Sequence, residues 1–251
     1  MITENMFFQK SFPIFHSIVL LAVLCFANCK KESSPAGSLT DKERVARYGV
    51  SVLKVASEAT PTKDDILGYL QQGEVVTLEK TLTVGKTNFS EISLAGTKEK
   101  GFVKSDSLAL YAILFTSEGV TLYSRPNLSS RIQDSSSNIA LGTVGMVLNE
   151  DNEWIEVSGG GSGTYFTGWM KKDSATYVKE LESINFAIQI QRIKTSYANL
   201  DEKKKEKAIV ELQELTSKSY PVNEFANKVL NELVGPSDPP PPADPSAPAG
   251  Q

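Results

Sequence analysis

The sequence predicts a mainly β protein with an α-helical C-terminal part, in which two small β-barrels are followed by a helical unit. Three observations point there. Between residues 48 and 177, short apolar runs alternate with clusters of Gly, Asn, Asp and Ser, the pattern of short antiparallel strands. Blocks of this region recur in the same order. From residue 175 onward the apolar spacing becomes helical. At 40% hydrophobic and 22% charged, the 251-residue chain has the apolar content for a core. Its net charge of −4 argues against a nucleic-acid partner.

The N-terminus reads as an address. Lys10 precedes an apolar stretch from Phe12 to Ala27, interrupted by Pro13 and His16 and followed by Lys30 and Lys31. That stretch has the length of a signal-peptide core and is short of the roughly 20 residues a membrane span needs. Phe26-Ala27-Asn28-Cys29 resembles the lipobox of bacterial lipoproteins, in the looser form found in spirochaetes. The usual lipobox has Leu three residues before the cysteine and Gly or Ala just before it, where this chain has Phe26 and Asn28. The resemblance implies cleavage before Cys29 and acylation of its sulfur and amine, so the lipid bilayer is the first expected partner. Several acyl chains anchor a protein where one is marginal. Cys25 is a poor rival, because bulky Leu24 precedes it.

Cleavage there would remove much chemistry. His16 is the one histidine, and Cys25 and Cys29 are the two cysteines. The mature chain would then hold no Ser-His-Asp triad, no Cys-His nucleophile, no His/Cys zinc site and no internal disulfide. Paired carboxylates, a Ser-Lys pair and oxygen-ligand metal sites survive on residue type. No cofactor, metal site or catalytic residue is expected, and the chain is expected not to be an enzyme.

Residues 29–41 are polar and rich in Ser, Gly and Pro, the composition of a flexible tether. Residues 41–47 read as a short helical lead-in. The first set of strands is predicted at 50–55, 74–78, 89–94 and 101–104. The second is predicted at 111–115, 120–123, 145–148, 154–157 and 167–171. Gly101-Phe102-Val103-Lys104-Ser105-Asp106-Ser107 matches Gly168-Trp169-Met170-Lys171-Lys172-Asp173-Ser174. Phe89-Ser90-Glu91-Ile92 matches Trp154-Ile155-Glu156-Val157, and Gly49-Val50 matches Gly119-Val120. The run from Gly159 to Gly163 reads as a hairpin loop.

The order of blocks in each set resembles the bacterial SH3-like (SH3b) domain. Gly119-Val120-Thr121-Leu122-Tyr123-Ser124-Arg125-Pro126 looks like the family's opening strand and loop, and Leu141-Gly142-Thr143-Val144-Gly145-Met146-Val147 like its middle. Trp154-Ile155-Glu156-Val157 and Gly168-Trp169-Met170 look like its close. In the first set Leu70-Gln71-Gln72-Gly73-Glu74-Val75-Val76 is the middle, with Phe89 and Phe102 in place of the two tryptophans. The resemblance covers about half the chain. It implies SH3-like barrels at 42–109 and 110–176, and ligands such as peptidoglycan peptides or envelope proteins. The candidate ligand groove is Tyr123, Trp154, Tyr165, Trp169 and Phe102. Trp154, Trp169, Phe102 and Phe89 read more readily as plugs of a small core, and Tyr123 and Tyr165, at loop edges, are the better groove candidates.

Residues 177–235 read as a helical unit of two to three helices. Val178, Leu181, Ile184 and Ile188, with Phe186, Ile190, Ile193 and Tyr197 alongside, make a wide apolar stripe over 175–198, broad enough to support a dimer. Ile209, Leu212 and Leu215 follow in 201–217, behind the charged start Lys203-Lys204-Lys205. Pro221 suits a first helical turn, and Gly235-Pro236 is a stop signal. The tail 236–251 is disordered by composition. Its prolines at 236, 239, 242, 245 and 248 repeat every three residues, the period of polyproline II, as either a docking peptide or a stiff spacer. Asp64-Asp65, Asp134 and Glu150-Asp151-Asn152-Glu153 read as solvated turns rather than a calcium loop.

These readings converge on a membrane-anchored, non-catalytic lipoprotein of the cell envelope, with the outer membrane the expected site. Its barrels bind peptidoglycan or envelope proteins. The alternative is a surface-exposed structural or host-interacting lipoprotein using the barrels as adhesive or spacer modules. Intact mass of the membrane-extracted protein should match residues 29–251 plus acyl chains, and Cys29→Ala should abolish that species. An unacylated mass retaining His16 refutes the anchor.

Overall fold

The computed structural model describes residues 39–94, 99–132, 139–161, 164–173 and 175–235. The signal segment, Cys29, residues 29–38 of the tether, Asp134 and the tail 236–251 lie outside the described residues. Among the described residues the chain builds two antiparallel sheets and three α-helices. The first sheet has seven strands: β1 (Glu43–Ala46), β2 (Val50–Leu53), β3 (Ile66–Leu70), β4 (Val75–Val84), β5 (Thr87–Ser93), β6 (Lys100–Lys104) and β7 (Leu108–Ala109). Its order is β3-β2-β6-β5-β4-β1-β7. The second has five: β8 (Tyr111–Phe115), β9 (Val144–Asp151), β10 (Trp154–Gly161), β11 (Thr164–Lys171) and β12 (Tyr177–Val178), in the order β11-β10-β9-β8-β12. Neither order closes on itself among the described residues, so the expected closed barrels are not what the ladders form.

Three local expectations also change. Residues 43–46 are a strand rather than part of a helical lead-in, because β4 and β7 pair with both of its edges. Gly159, Gly160 and Gly161 are not loop but the end of β10, opposite Phe166, Tyr165 and Thr164. A Cβ on Gly159 would lie 2.6 Å from the Phe166 ring and the Val144 carbonyl oxygen, so the strand there admits only glycine. Residues 120–123 form no regular strand, only bridges at Tyr123 to Arg131 and Trp169.

The duplication is written into the hydrogen-bond register. Phe89, Ser90, Glu91 and Ile92 on β5 face Lys104, Val103, Phe102 and Gly101 on β6. Their counterparts Trp154, Ile155, Glu156 and Val157 on β10 face Lys171, Met170, Trp169 and Gly168 on β11, pair for pair. Both β4 and β9 bulge at the matching step, between Leu78 and Lys80 and between Val147 and Asn149. The Gly73 amide donates to the Ala46 carbonyl, and the Gly142 amide to the Phe115 carbonyl. Leu53 pairs with Phe102 as Tyr123 pairs with Trp169. The β1–β7 pairing recurs as β8–β12. A one-residue slip would turn every side chain to the wrong face, so a register shared at all these points is a demanding match.

The helices are α1 (Leu181–Ser196), α2 (Glu202–Leu215) and α3 (Val222–Val234). The first begins six residues later than the stripe suggests, because Tyr177 and Val178 are taken by β12. Asp201 caps α2 by accepting from the Lys204 amide at 3.0 Å. Gly235, at φ 82°, ends α3. The apolar faces of all three helices converge on one cluster, which includes Ile184, Ile190, Leu212, Phe225 and Val229. It also takes Val45, Val75 and Ala109 from the first repeat and Leu114, Val144 and Val178 from the second. These are the same three positions in each copy. The breadth of the α1 stripe is therefore used within the chain.

Two glycine turns seat the helices. Gly73 and Gly142 are equivalent, with φ of 84° and 80°. A Cβ on Gly73 would lie 2.3 Å from Cδ1 of Ile188 on α1, and one on Gly142 would lie 2.1 Å from the Phe225 ring on α3. Gly119 has a similar φ of 71° but open space around it. Gly119→Ala should therefore cost only backbone strain, about 1–2 kcal/mol. Gly142→Ala should cost about 1–3 kcal/mol more, because Phe225 must move. Urea unfolding of the two variants measures the difference, and equal losses refute the seat.

Candidate functional site

The aromatic residues singled out by sequence do not form one groove, but three of them converge. On β10, Ile155 and Val157 point into a core with Ile113, Phe115, Val147, Phe166 and Met170. Strand alternation sends Trp154 and Glu156 to the other face, and with them their partners Lys171 and Trp169 on β11. Tyr123 joins from the side. Its amide donates to the Trp169 carbonyl at 2.8 Å, and the Trp169 amide donates back at 2.7 Å. The Tyr123 ring meets Trp154 edge to face, with centroids 5.1 Å apart. All three rings are half-buried.

One cation borders this triad, and two arginines lie near Tyr123 along the backbone. The Lys171 ammonium lies 5.8 Å from the Trp154 ring centre. Arg131 is the bridge partner of Tyr123, and Arg125 follows two residues after it. The loop carrying the two arginines is pinned by its own hydrogen bonds. The Arg125 amide donates to Ser130 Oγ at 3.2 Å, and Asn127 Oδ1 accepts from the Ser129 amide at 2.8 Å. Glu156, between the two tryptophans in register, accepts from the Asn149 amide group. Motif reasoning missed both arginines, although they flank the polar loop it had placed after the opening strand.

Tyr165 and Phe102 fall elsewhere. Tyr165 is 64% exposed and sits opposite Gly160, at the far end of β11 from Lys171. Phe102 lies on β6 in the other sheet, paired with Leu53 and Glu91. There the counterparts of Tyr123 and Trp154 are Leu53, 7% exposed, and Phe89, fully buried. One copy has sealed the surface that the other leaves open.

Several of the remaining polar candidates are engaged. Glu150 accepts from the Tyr111 hydroxyl and from Lys172 Nζ at 3.1 Å. The Tyr111 hydrogen bond and then Lys172 hold its carboxyl below the usual range. Burial, then that same hydrogen bond, pushes the Tyr111 phenol up. Lys179 sits 4.0 Å from the Tyr111 ring centre, and burial pulls its ammonium down. Asp65 accepts from the Thr62 hydroxyl and amide, which lowers its carboxyl. Lys204 and Lys205 pair with Asp201 and Glu202. Among the described residues no three His, Cys, Asp or Glu side chains are grouped to hold a metal. A cleft of about 590 Å³ opens where residues 139–143 meet α1 and α3. Ion pairs Lys194–Glu232 and Lys228–Glu118 border it.

The contrast between copies gives a direct test. Phe89→Ala should cost about 3–5 kcal/mol, as a buried aromatic does. Trp154→Ala, at the equivalent position, should cost about 1–2 kcal/mol. Denaturant unfolding compares them, and an equal cost would assign Trp154 to the core.

No family model matches the chain, and no curated protein sequence matches it. Among solved structures, a similar chain is that described as the structure of NlpC2 from Trichomonas vaginalis, at 15% identity. The match covers 53% of this chain and 46% of that one, with a TM-score of 0.22. A likeness of that size carries nothing about fold or activity.

Proposed function

We propose that this chain is a non-catalytic lipoprotein, anchored in an envelope membrane through acylated Cys29, whose repeats are SH3-like modules with divided roles. The first repeat is the sealed, structural copy. The second presents Tyr123, Trp154 and Trp169 to a ligand of the cell envelope, a peptidoglycan peptide or an envelope protein. The observation that carries this is the difference between equivalent positions. Phe89 is fully buried where Trp154 is only half-buried, on strands of matching register. Rigid aromatic rings offer large contact area at low entropy cost, and nearby cations supply polar partners for a peptide. The lipobox-like Phe26-Ala27-Asn28-Cys29 supports the anchor.

Sedimentation of the detergent-solubilised full chain with purified peptidoglycan sacculi tests the wall-binding form. Retention at low salt is expected. The double variant Trp154→Ala/Trp169→Ala should bind at least about tenfold more weakly, as loss of central aromatic contacts does. An absence of retention by the parent chain refutes peptidoglycan as the ligand. Retention unchanged in the double variant refutes the aromatic face.

A further inference from the structure

We infer that the cleft where the two glycine turns meet α1 and α3 binds a small organic carboxylate with an apolar body. The cleft is separate from the aromatic face, and the inference does not depend on how that face is read.

The cleft lies at a seam in the packing. Leu141 and Thr143, on either side of Gly142, line it from the second repeat, and Gln72, next to Gly73, lines it from the first. On its walls Ile188 and Phe225 belong to the helical cluster, whereas Ile139 and Phe166 belong to the core of the five-stranded sheet. Gly160 on β10 also lines it and brings no side chain into it. The space left between the two apolar clusters is about 590 Å³, within the roughly 300–1,000 Å³ of small-ligand sites.

Polarity is graded along the cleft. Ile188, Gln191, Arg192 and Thr195 line it from α1, at the three- and four-residue spacing of one helix face. Phe225, Lys228 and Glu232 line it from α3 in the same way. On each helix the apolar residue comes first and polar or charged ones follow over about 10 Å of helix. The two gradients run together. Gln191 Nε2 donates to the Gly142 carbonyl at 3.1 Å, at the turn that Phe225 packs on. Further along both helices, Lys194 pairs with Glu232. A molecule with an apolar body and a charged end matches that grading.

The sign and size of the charge follow from the pairs. Lys194 is matched by Glu232 and Lys228 by Glu118. Arg192 has no ion pair and no side-chain hydrogen bond among the described residues. Three cations against two carboxylates leave one positive charge, which suits a monoanion. A guanidinium presents a planar fork that meets a carboxylate through two parallel hydrogen bonds. The Gln72 amide and Thr143 hydroxyl, also without side-chain partners among the described residues, offer two further donors. A few such groups on a mainly apolar wall fix a ligand's orientation.

The experiment is equilibrium dialysis of the detergent-solubilised full chain, with the same micelles on both sides so that partition into detergent cancels. The probe is naphthylacetate, compared with its neutral amide and with naphthyl phosphate. The acid should bind with a dissociation constant of about 1 mM or lower. The amide should bind at least about tenfold more weakly, because charge-assisted hydrogen bonds are the stronger ones. Arg192→Gln should bring the acid to the level of the amide, and Arg192→Lys, which keeps the charge without the fork, should fall between. Ala140→Trp, at an exposed position on the rim, should fill the cleft and abolish uptake of both. Urea unfolding checks that this variant folds, and Thr195→Trp on the helical wall is read in its place if it does not. No uptake of the acid by the parent chain overturns the inference, as does equal binding of acid and amide. Binding of the phosphate as tight as that of the acid overturns the carboxylate. Uptake unchanged in Arg192→Gln, or in a folded variant with the cleft filled, overturns the site.

Discussion

The structure depends on one shared apolar core, in which the helices cover both repeats at once. A repeat of this size, taken alone, buries too little surface to be more than marginally stable. Here Val45, Val75 and Ala109 from one copy and Leu114, Val144 and Val178 from the other meet the same helical cluster. Gly73 and Gly142 let Ile188 and Phe225 approach the two equivalent turns more closely than any other residue would allow. Packing fixes the helices against both copies, and that in turn decides which surfaces remain for anything else.

What remains is narrow. One face of the five-stranded sheet carries Ala112, Leu114, Val144 and Met146 against the helices. The other is covered by Val120, Leu122 and Ile139. Past the bulge at Leu148, Trp154, Glu156 and Trp169 lie on the helix-facing side of the sheet by alternation, yet they are absent from the helical core. Bulges bend a strand and re-aim its side chains. The open aromatic face thus lies outside the helical core, past a bulge that the sealed first copy shares.

The duplication was legible because its strongest block, 101–107 against 168–174, contains the constraints of a register. Gly168 is crowded by Leu122, Tyr123 and Ile132, and Gly101 by Val52, Leu53 and Leu67, so neither position admits a larger residue without movement. The strands flanked by charge were not legible. Glu43-Arg44-Val45-Ala46 reads as helix locally and becomes strand only because β4 and β7 take its two edges. Gly159 to Gly161 read as loop from composition, and only the close approach of Phe166 and Val144 shows why glycine is there. Motif position likewise could nominate Phe102 and Trp169 together, since they are equivalents. Equivalence across a repeat puts two residues on different sheets, however, and a groove needs residues from one.

The two copies also show how an open aromatic face arises from a structural position. In the first repeat the outward aromatic position is filled by Phe89, which is buried, beside a Leu53 that is nearly so. In the second the same positions hold Trp154 and Tyr123, residues with a polar edge that tolerates water. The β5–β6 and β10–β11 registers are shared, although β2 is a laddered strand where Tyr123 makes only bridges. The difference lies in side-chain chemistry and in the loop that follows. In one copy the segment after β2 sends Glu58 to accept from the Lys86 amide and Thr87 hydroxyl at the tip of the β4–β5 hairpin. In the other the loop after Tyr123 turns back on itself through Ser130 and Asn127, and leaves the rings in reach of solvent. A loop that bonds to its neighbouring hairpin anchors the first copy. A loop that satisfies itself leaves the rings of the second uncovered.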